Sequence, residues 1–263
     1  MMIVNENSLR SLFIEPYYND IPLAEATAFI MSHNRKLFLI TNRHNVTGKN
    51  QKTDECLHRY GSIPNKIKVH FNKRNSIGEY VIKDIKILDD NQKQLWHEHP
   101  TLKHKADFVA IEISNDPDID FFHYKSDKEK IIHTLRPSNT LSIIGFPYGK
   151  SSDKKFGIWI SGFLASDPDI NYDGLPIMLV DARTRTGQSG SPVIIYKESG
   201  MRMMSQGNQA VYNPPYSTNL LGIYSGRLSA ESDIGMVWKK ESIIELLDSI
   251  NKRGELWSGV INY

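Results

Sequence analysis

Apolar and polar residues alternate along several short runs of this chain, and clusters of turn-forming residues separate the runs. An alternation with a period of two is typical of β-strands that bury one face. In the first half of the chain it predicts four strands, at residues 23–31, 36–41, 66–71 and 79–88. A fifth strand is predicted to start next to Asp107, directly after a polar loop.

The second half repeats this pattern after a polar stretch at residues 114–139 that shows no sustained periodicity. Its predicted strands are residues 140–145, 156–166, 177–181, 193–196, 220–226 and 234–238. At the end of the chain, isoleucine and leucine residues between 241 and 251 fall on one stripe, which predicts an amphipathic helix.

Many short strands in two batches predict an all-β fold of two packed six-stranded antiparallel β-barrels, followed by a C-terminal α-helix. The polar stretch between the batches is interpreted as the crossover from one barrel to the other. The predicted units are an N-terminal arm (1–22), a first barrel (23–125), a linker (126–139), a second barrel (140–240) and a C-terminal helix with a tail (241–263).

The composition is that of an ordinary globular protein: 263 residues, 40% of them hydrophobic, with a formal net charge of +2. This charge gives no strong attraction for nucleic acid or for an anionic membrane, so neither partner is expected. The single cysteine, Cys56, has no partner for an internal disulfide. The N-terminus lacks the pattern of a signal peptide, and no run reaches transmembrane length. We therefore expect a cytoplasmic protein, with secretion by another route left open.

A glycine-flanked serine stands in the second half, in the sequence Gly187-Gln188-Ser189-Gly190-Ser191-Pro192. A serine hydroxyl becomes a nucleophile only when a base takes its proton and donors stabilise the oxyanion. The backbone N–H groups of Gly187 and Ser189 can supply such a donor pair. An isolated sequence of this kind also fits a plain surface turn before a strand. The nucleophile elbow of α/β-hydrolases fits poorly, because Ser191 stands where that motif needs glycine.

His44 and Asp107 turn this motif into a candidate catalytic site. His44 follows a predicted strand, Asp107 precedes one, and both lie in the first half, so a cleft between two barrels would bring them to Ser189. In such a triad the histidine accepts the serine proton, and the aspartate fixes its tautomer and stabilises the imidazolium. The alternative carboxylates at residues 116–120 lie in a polar linker.

The chain resembles the chymotrypsin-fold serine peptidases in three segments that occur in the family's order: residues 41–44, 106–111 and 186–192. Residues 144–149 and 221–223 resemble the bacterial branch that contains the HtrA proteases and the glutamyl endopeptidases. The resemblance covers roughly residues 23–250. It implies a serine endopeptidase that acts on proteins or peptides through an acyl-enzyme.

Three departures from the family change what the resemblance implies. Gln188 stands where animal digestive enzymes carry an aspartate that pairs with a newly cut N-terminus, so we expect no activation by such a cut. The chain lacks the family's disulfides, and too few residues follow position 251 for the PDZ module of HtrA proteins, so none is expected.

In the family the residue six positions before the nucleophile lies at the base of the primary specificity pocket, which here is Arg183. Substrate-binding roles are therefore assigned to Arg183, Thr184, Tyr224, Ser225 and Gly226. If Arg183 points into the pocket, it needs a carboxylate partner, and a substrate with an acidic side chain can supply one. If it turns outward, small or aliphatic side chains are the alternative.

Two further clusters give weaker signals. His97, His99 and His104 lack the spacing of a helical zinc motif, so no metal and no cofactor is expected. The polar insertion at residues 197–219 contains several methionines, which suit either a regulatory partner or a loop folded onto the barrel.

The rival to an endopeptidase is a catalytically silent trypsin-like module for binding or sensing.

Overall fold

The computed structural model of the chain describes residues 4–126, 135–198, 202–203, 210–211 and 216–258. The first half forms one sheet in which β6, β5, β1, β3, β4 and β7 are neighbours in that order, with β2 on β1 and β8 parallel to β3. The bounds are β1 Ser11–Tyr18, β2 Ile21–Pro22, β3 Ala26–His33, β4 Lys36–Thr41, β5 Lys66–Asn72, β6 Tyr80–Lys86, β7 Val109–Ile113 and β8 His123–Lys125.

This first sheet is a half-barrel and not the closed six-stranded barrel that the sequence predicts. Between β6 and β7 the chain makes isolated bridges only, from Leu88 to Gln94 and from His97 to Ala110. Leu88 and Gln94 flank a turn in which Gln92 has a positive φ of 62°. A regular edge strand is therefore replaced by a turn and two single bridges.

The sequence predicts an N-terminal arm at residues 1–22. In the structure, residues 11–18 instead form β1 in the middle of the first sheet. Pro16 argues against a central strand, since it has no N–H to donate. Its carbonyl accepts a hydrogen bond from Leu23 N, and the pairing of β1 with β3 has already ended at Ile14. In a strand the N–H and C=O of one residue point to the same side. The side on which Pro16 lacks an N–H therefore faces Leu23, where β1 no longer pairs with β3, and no hydrogen bond of the sheet is lost.

The second half closes into a barrel in the order β10, β11, β16, β15, β12, β9. The all-β class and this closed barrel confirm the predicted fold, and β4, β9 and β11 have the predicted bounds. The strands are β9 Thr140–Gly145, β10 Ile158–Leu164, β11 Ile177–Asp181, β12 Pro192–Glu198, β15 Tyr216–Arg227 and β16 Ile234–Lys239, with a separate two-stranded pair, β13 Arg202–Met203 and β14 Ala210–Val211.

In the described part of the chain three α-helices accompany the sheets: α1 Glu6–Arg10, α2 Arg43–Thr47 and α3 Lys240–Ser258. The predicted C-terminal helix is confirmed as α3. Short 3-10 turns occupy residues 103–105, 147–149 and 153–155. Within the described ranges, no helix has the length and apolar character needed to cross a membrane.

Each half has its own core, and a third apolar cluster joins the two. The shared cluster contains Phe29 and Phe108 from the first half, Trp238 from the second, and Ile243 and Leu247 from α3, all fully or almost fully buried. The helix therefore fastens the two halves together. The half-barrel and the barrel are held in a fixed relation, which sets the geometry of any site between them.

Two predicted segments fall largely outside the described residues. Most of the predicted linker at 126–139 belongs to the undescribed range 127–134. The same holds for much of the insertion at 197–219, of which the described parts are β13, β14 and the ends of the flanking strands.

Candidate active site

His44 and Asp107 are in direct contact. His44 is the second residue of α2, which begins as soon as β4 ends, and Asp107 lies two residues before β7. The Nδ1 atom of His44 lies 2.8 Å from Asp107 Oδ2 and 3.0 Å from Oδ1, and the backbone N–H of His44 donates to Oδ1 at 3.1 Å. Because β4 and β7 pair with Thr41 opposite Val109, the sheet itself fixes this approach.

The carboxylate of Asp107 is buried, and both of its oxygens accept hydrogen bonds. It is 2% exposed, and the hydroxyl of Ser225 donates to its Oδ2 at 2.9 Å. The side-chain amide of Asn42 donates to the Asp107 carbonyl at 2.6 Å and ties the residue to the start of α2. Several donors hold a buried carboxylate in one orientation.

The environment of His44 acts on its basicity in two directions. Burial lowers the pKa of His44, whereas the charge of Asp107 and its hydrogen bond raise the pKa, and the net result lies above the usual value for histidine. With Nδ1 on Asp107, the free ring nitrogen is Nε2. No hydrogen bond joins Nε2 to Ser189 Oγ in the described chain, and such bonds often tighten only when substrate binds.

Ser189 lies in a turn that is hydrogen-bonded to strand β3 of the first half. Its carbonyl accepts the N–H of Thr27 in β3 at 3.0 Å. The next residue, Gly190, has φ of +89°, and a Cβ there would lie 2.0 Å from the carbonyl oxygen of Thr27. Only glycine permits both this backbone conformation and this close approach.

The N–H groups of Gly187 and Ser189 donate no hydrogen bond to any described atom. Thr27 fixes the peptide between them, because its hydroxyl donates to the Gly187 carbonyl at 2.9 Å and accepts from the N–H of Phe146 at 3.2 Å. Gly187 has φ of +93°, and a Cβ there would lie 2.3 Å from the carbonyl oxygen of Phe146. Two free amides on a braced loop are what an oxyanion site needs.

His44, Asp107, Ser189 and Ser225 all line one open cavity of about 740 Å³ between the two halves. The structure therefore brings the candidate triad residues to one place. Its apolar floor comes from β11 and β16 and includes Ile177, Met236 and Trp238.

The predicted specificity residues divide into two groups. Thr184 and Tyr224 are buried, and their hydroxyls are joined by a short hydrogen bond. Burial raises the pKa of Tyr224, so its hydroxyl stays protonated. A Cβ on Gly235 would lie 2.5 Å from the Tyr224 ring, which packs closely against β16.

Arg183, in contrast, is exposed, and it forms no ion pair with any described residue. The structure therefore does not bring Arg183 into a buried pocket. Arg185, and not Arg183, contacts the segment before Ser189. Its guanidinium donates to the Thr184 carbonyl at 2.7 Å and lies 3.6 Å from Asp233. Gly226, with φ of +127°, has open space around the position of its missing Cβ.

Gln188 is fully buried within the nucleophile loop. Its side-chain oxygen accepts the N–H of Arg185 at 2.9 Å, and its own N–H donates to the Arg185 carbonyl. A neutral amide thus braces the loop from inside.

Of the clustered histidines, His99 is buried with Nδ1 accepting the backbone N–H of Leu102, and its Nε2 lies 3.4 Å from Glu245. Among the described residues no group of three or more metal-binding side chains converges.

Two contributions to the site were not visible in the sequence. Thr27 carries no motif and becomes important only when β3 is placed under the nucleophile loop. The sequence predicts a substrate-binding role for Ser225, whereas in the structure its hydroxyl donates to Asp107. Both contacts cross between distant parts of the chain, so local pattern contains no signal for them.

The two-part β architecture and the His44–Asp107–Ser189 constellation in the cleft define a chymotrypsin-like protein. The family model described as trypsin-like peptidase domain matches residues 26–199, which is more than half of the chain. The chain therefore belongs to the trypsin-like peptidase family.

Solved serine protease structures are similar to this chain at low sequence identity. The serine endoprotease from Yersinia pestis is 14% identical, with a TM-score of 0.52 over 97% of this chain and 69% of that one. The Rv3671c protease from M. tuberculosis in its active form is 14% identical, with a TM-score of 0.49 over 92% of this chain and 81% of that one. No curated protein sequence is detectably similar to this chain.

Proposed function

We propose that this protein is a serine endopeptidase that cleaves peptide bonds through an acyl-enzyme on Ser189. The observation that carries the proposal is the double contact of His44 Nδ1 with the buried Asp107 carboxylate, in a cavity that Ser189 also lines. Membership of the trypsin-like peptidase family supports it.

In this mechanism His44 Nε2 accepts the proton of the Ser189 hydroxyl as its oxygen attacks the peptide carbonyl. Asp107 stabilises the imidazolium, and the N–H groups of Gly187 and Ser189 stabilise the oxyanion. The imidazolium then donates its proton to the leaving amine, which departs and leaves the acyl-enzyme. Water attacks the ester next, with His44 again as the base, and Ser189 is released.

For the side chain before the scissile bond, the buried Thr184–Tyr224 pair favours a small residue. This hydrogen bond joins the segment before Ser189 to β15, next to Ser225, so little room is left between the two segments. The exposed position of Arg183 removes the basis for an acidic preference at this position. Alanine, glycine and serine are the residues that fit best.

Hydrolysis of a proteome-derived peptide library by the wild-type protein and by Ser189→Ala tests the proposal. We expect cleavage after small residues by the wild type and none above background by the variant, with identical circular dichroism spectra for the two proteins. Equal cleavage by Ser189→Ala would contradict the assigned nucleophile. A catalytically silent binding module would cleave nothing in either form.

A further inference from the structure

The cavity beside the candidate triad carries an excess of positive charge. Besides His44, its basic wall residues are Lys52, His104, Lys105 and Arg227. Lys52, Lys105 and Arg227 form no ion pair with any carboxylate of the described ranges. The acidic wall residues are Asp107, which is buried and held by His44 and Ser225, and the exposed Asp173. Three lysine and arginine charges thus face one accessible carboxylate.

Neighbouring carboxylates do not neutralise this wall. Asp54 faces His104 across the rim, yet its hydrogen-bonded partner is Lys49 at 2.8 Å. Asp233 precedes β16, the strand that pairs with Arg227, and it contacts Arg185 at 3.6 Å. The loops that carry the basic residues are joined, since the amide of Gln51 donates to the His104 carbonyl. The positive charges are therefore gathered around one opening.

The direction of a bound peptide follows from the second barrel. Strand β12 runs antiparallel to β15 with Pro192 opposite Ile223, and the backbone hydrogen bonds that Ser191 and Gly190 form with Tyr224 extend this contact. Beyond that point residues 225–227 keep β16 on one side and leave the other edge open towards the cavity. A peptide that adds to this edge in the β12 direction has its N-terminal end near Arg227 and runs towards Ser189.

We propose that this cavity binds acidic side chains two to four residues before the scissile bond, so that the substrates are acidic peptide segments. The inference rests on the proposed function, because it places the peptide relative to Ser189. The apolar floor of Ile177, Met236 and Trp238 accepts the aliphatic stems, and the basic rim accepts the carboxylates.

Cleavage of matched peptides tests the inference. Each pair has the same sequence around a site found in the library and differs in Glu against Gln at two of the second to fourth positions before the scissile bond. A single exposed charge pair gives about a two- to fivefold effect, so we expect kcat/KM about tenfold higher for a doubly acidic peptide at low salt. At about 0.5 M salt the preference should fall below about threefold.

Charge-removing variants locate the effect. The double variant Lys105→Gln/Arg227→Gln should reduce the Glu-over-Gln preference to about twofold or less. Lys93→Gln removes an exposed lysine that does not line the cavity, and it should keep the tenfold preference. Equal cleavage of the Glu and Gln peptides by the wild type, or an undiminished preference in the double variant, would overturn the inference.

Failure of this inference is separable from failure of the proposed function. Fluorophosphonate labelling of Ser189 needs no peptide, so a labelled enzyme without an acidic preference refutes the inference alone. If the protein is neither labelled nor active, the acidic site is tested by binding of the same peptides to Ser189→Ala. Fluorescence anisotropy measures this binding. Tighter binding of the Glu peptide by about tenfold supports the acidic site, and equal binding of both peptides refutes it.

Discussion

His44 depends on Asp107 for both its position and its basicity. The carboxylate fixes the ring through Nδ1 and also binds the backbone N–H of the same residue, so ring and backbone are held together. Ser225 supplies a further donor to that carboxylate from the second half. In the proposed mechanism, the charge state of this imidazole therefore determines the pH range in which Ser189 is activated.

The first prediction is a loss of activity on the acidic side of the pH profile. Neutral His44 is the base, and its pKa is raised, so activity should fall as the pH drops through that raised value. In Asp107→Asn both raising causes are gone and burial remains, so the midpoint should move to lower pH while kcat falls by roughly 10⁴-fold. Measurement of kcat/KM from pH 4 to 9 checks this, and an unshifted midpoint would contradict the role of Asp107.

Thr27 gives a second prediction for a single residue. Thr27→Val keeps the shape but leaves the Gly187 carbonyl and the Phe146 N–H without the hydroxyl, each at a cost of about 1–3 kcal/mol. We expect kcat to fall about tenfold or more with little change in KM, since the oxyanion amides are misplaced. Thr27→Ser keeps the hydroxyl and should retain most of the activity. Equal losses in Val and Ser variants would indicate a packing role only.

At the level of elements, the sequence pattern identifies most strands because one face of each is buried. It fails for β1, where Pro16 and the adjacent tyrosines resemble a loop, and at the edge between β6 and β7, where single bridges replace a strand. Both failures have one cause: the pairing partner of a strand is decided by distant residues. The turn at Asn34 and Arg35, each with positive φ, joins β3 to β4 as the local composition predicts.

Helix α3 offers a matched pair of substitutions. Ile243 is fully buried in the cluster that joins the two halves, whereas Ile244 is only partly buried. Ile243→Ala should lower the free energy of unfolding by about 2–5 kcal/mol, and Ile244→Ala by clearly less. Chemical denaturation followed by tryptophan fluorescence measures both. Similar losses for the two variants would argue against the helix as the fastening between halves.

At the level of the whole molecule, the order of the three site segments predicted a cleft between two halves, and the contacts across that cleft needed the structure. His44, Asp107 and Ser189 could be named from local motifs because each has a strand end, a strand start or glycines beside it. The outward position of Arg183 and the Thr184–Tyr224 bond could not, because side-chain direction depends on packing.

Activity should not depend on the release of a new N-terminus. Gln188 is neutral and already braces the nucleophile loop through Arg185 N–H, so no incoming ammonium group is needed. A protein with a short uncleavable N-terminal extension should therefore hydrolyse peptides at the rate of the unextended chain. An extended protein that becomes active only after proteolytic trimming would contradict this.

We propose that His44, Asp107 and Ser189 act as one unit, and covalent labelling by a fluorophosphonate tests this. Intact-mass spectrometry of the wild type, Ser189→Ala and His44→Ala after incubation with the probe gives the labelled fraction. We expect one probe per wild-type molecule, attached to Ser189, no label on Ser189→Ala, and labelling of His44→Ala slower by at least about 10³-fold. Labelling of Ser189→Ala at the wild-type rate, or of His44→Ala without loss of rate, would show that the three residues do not act as one unit.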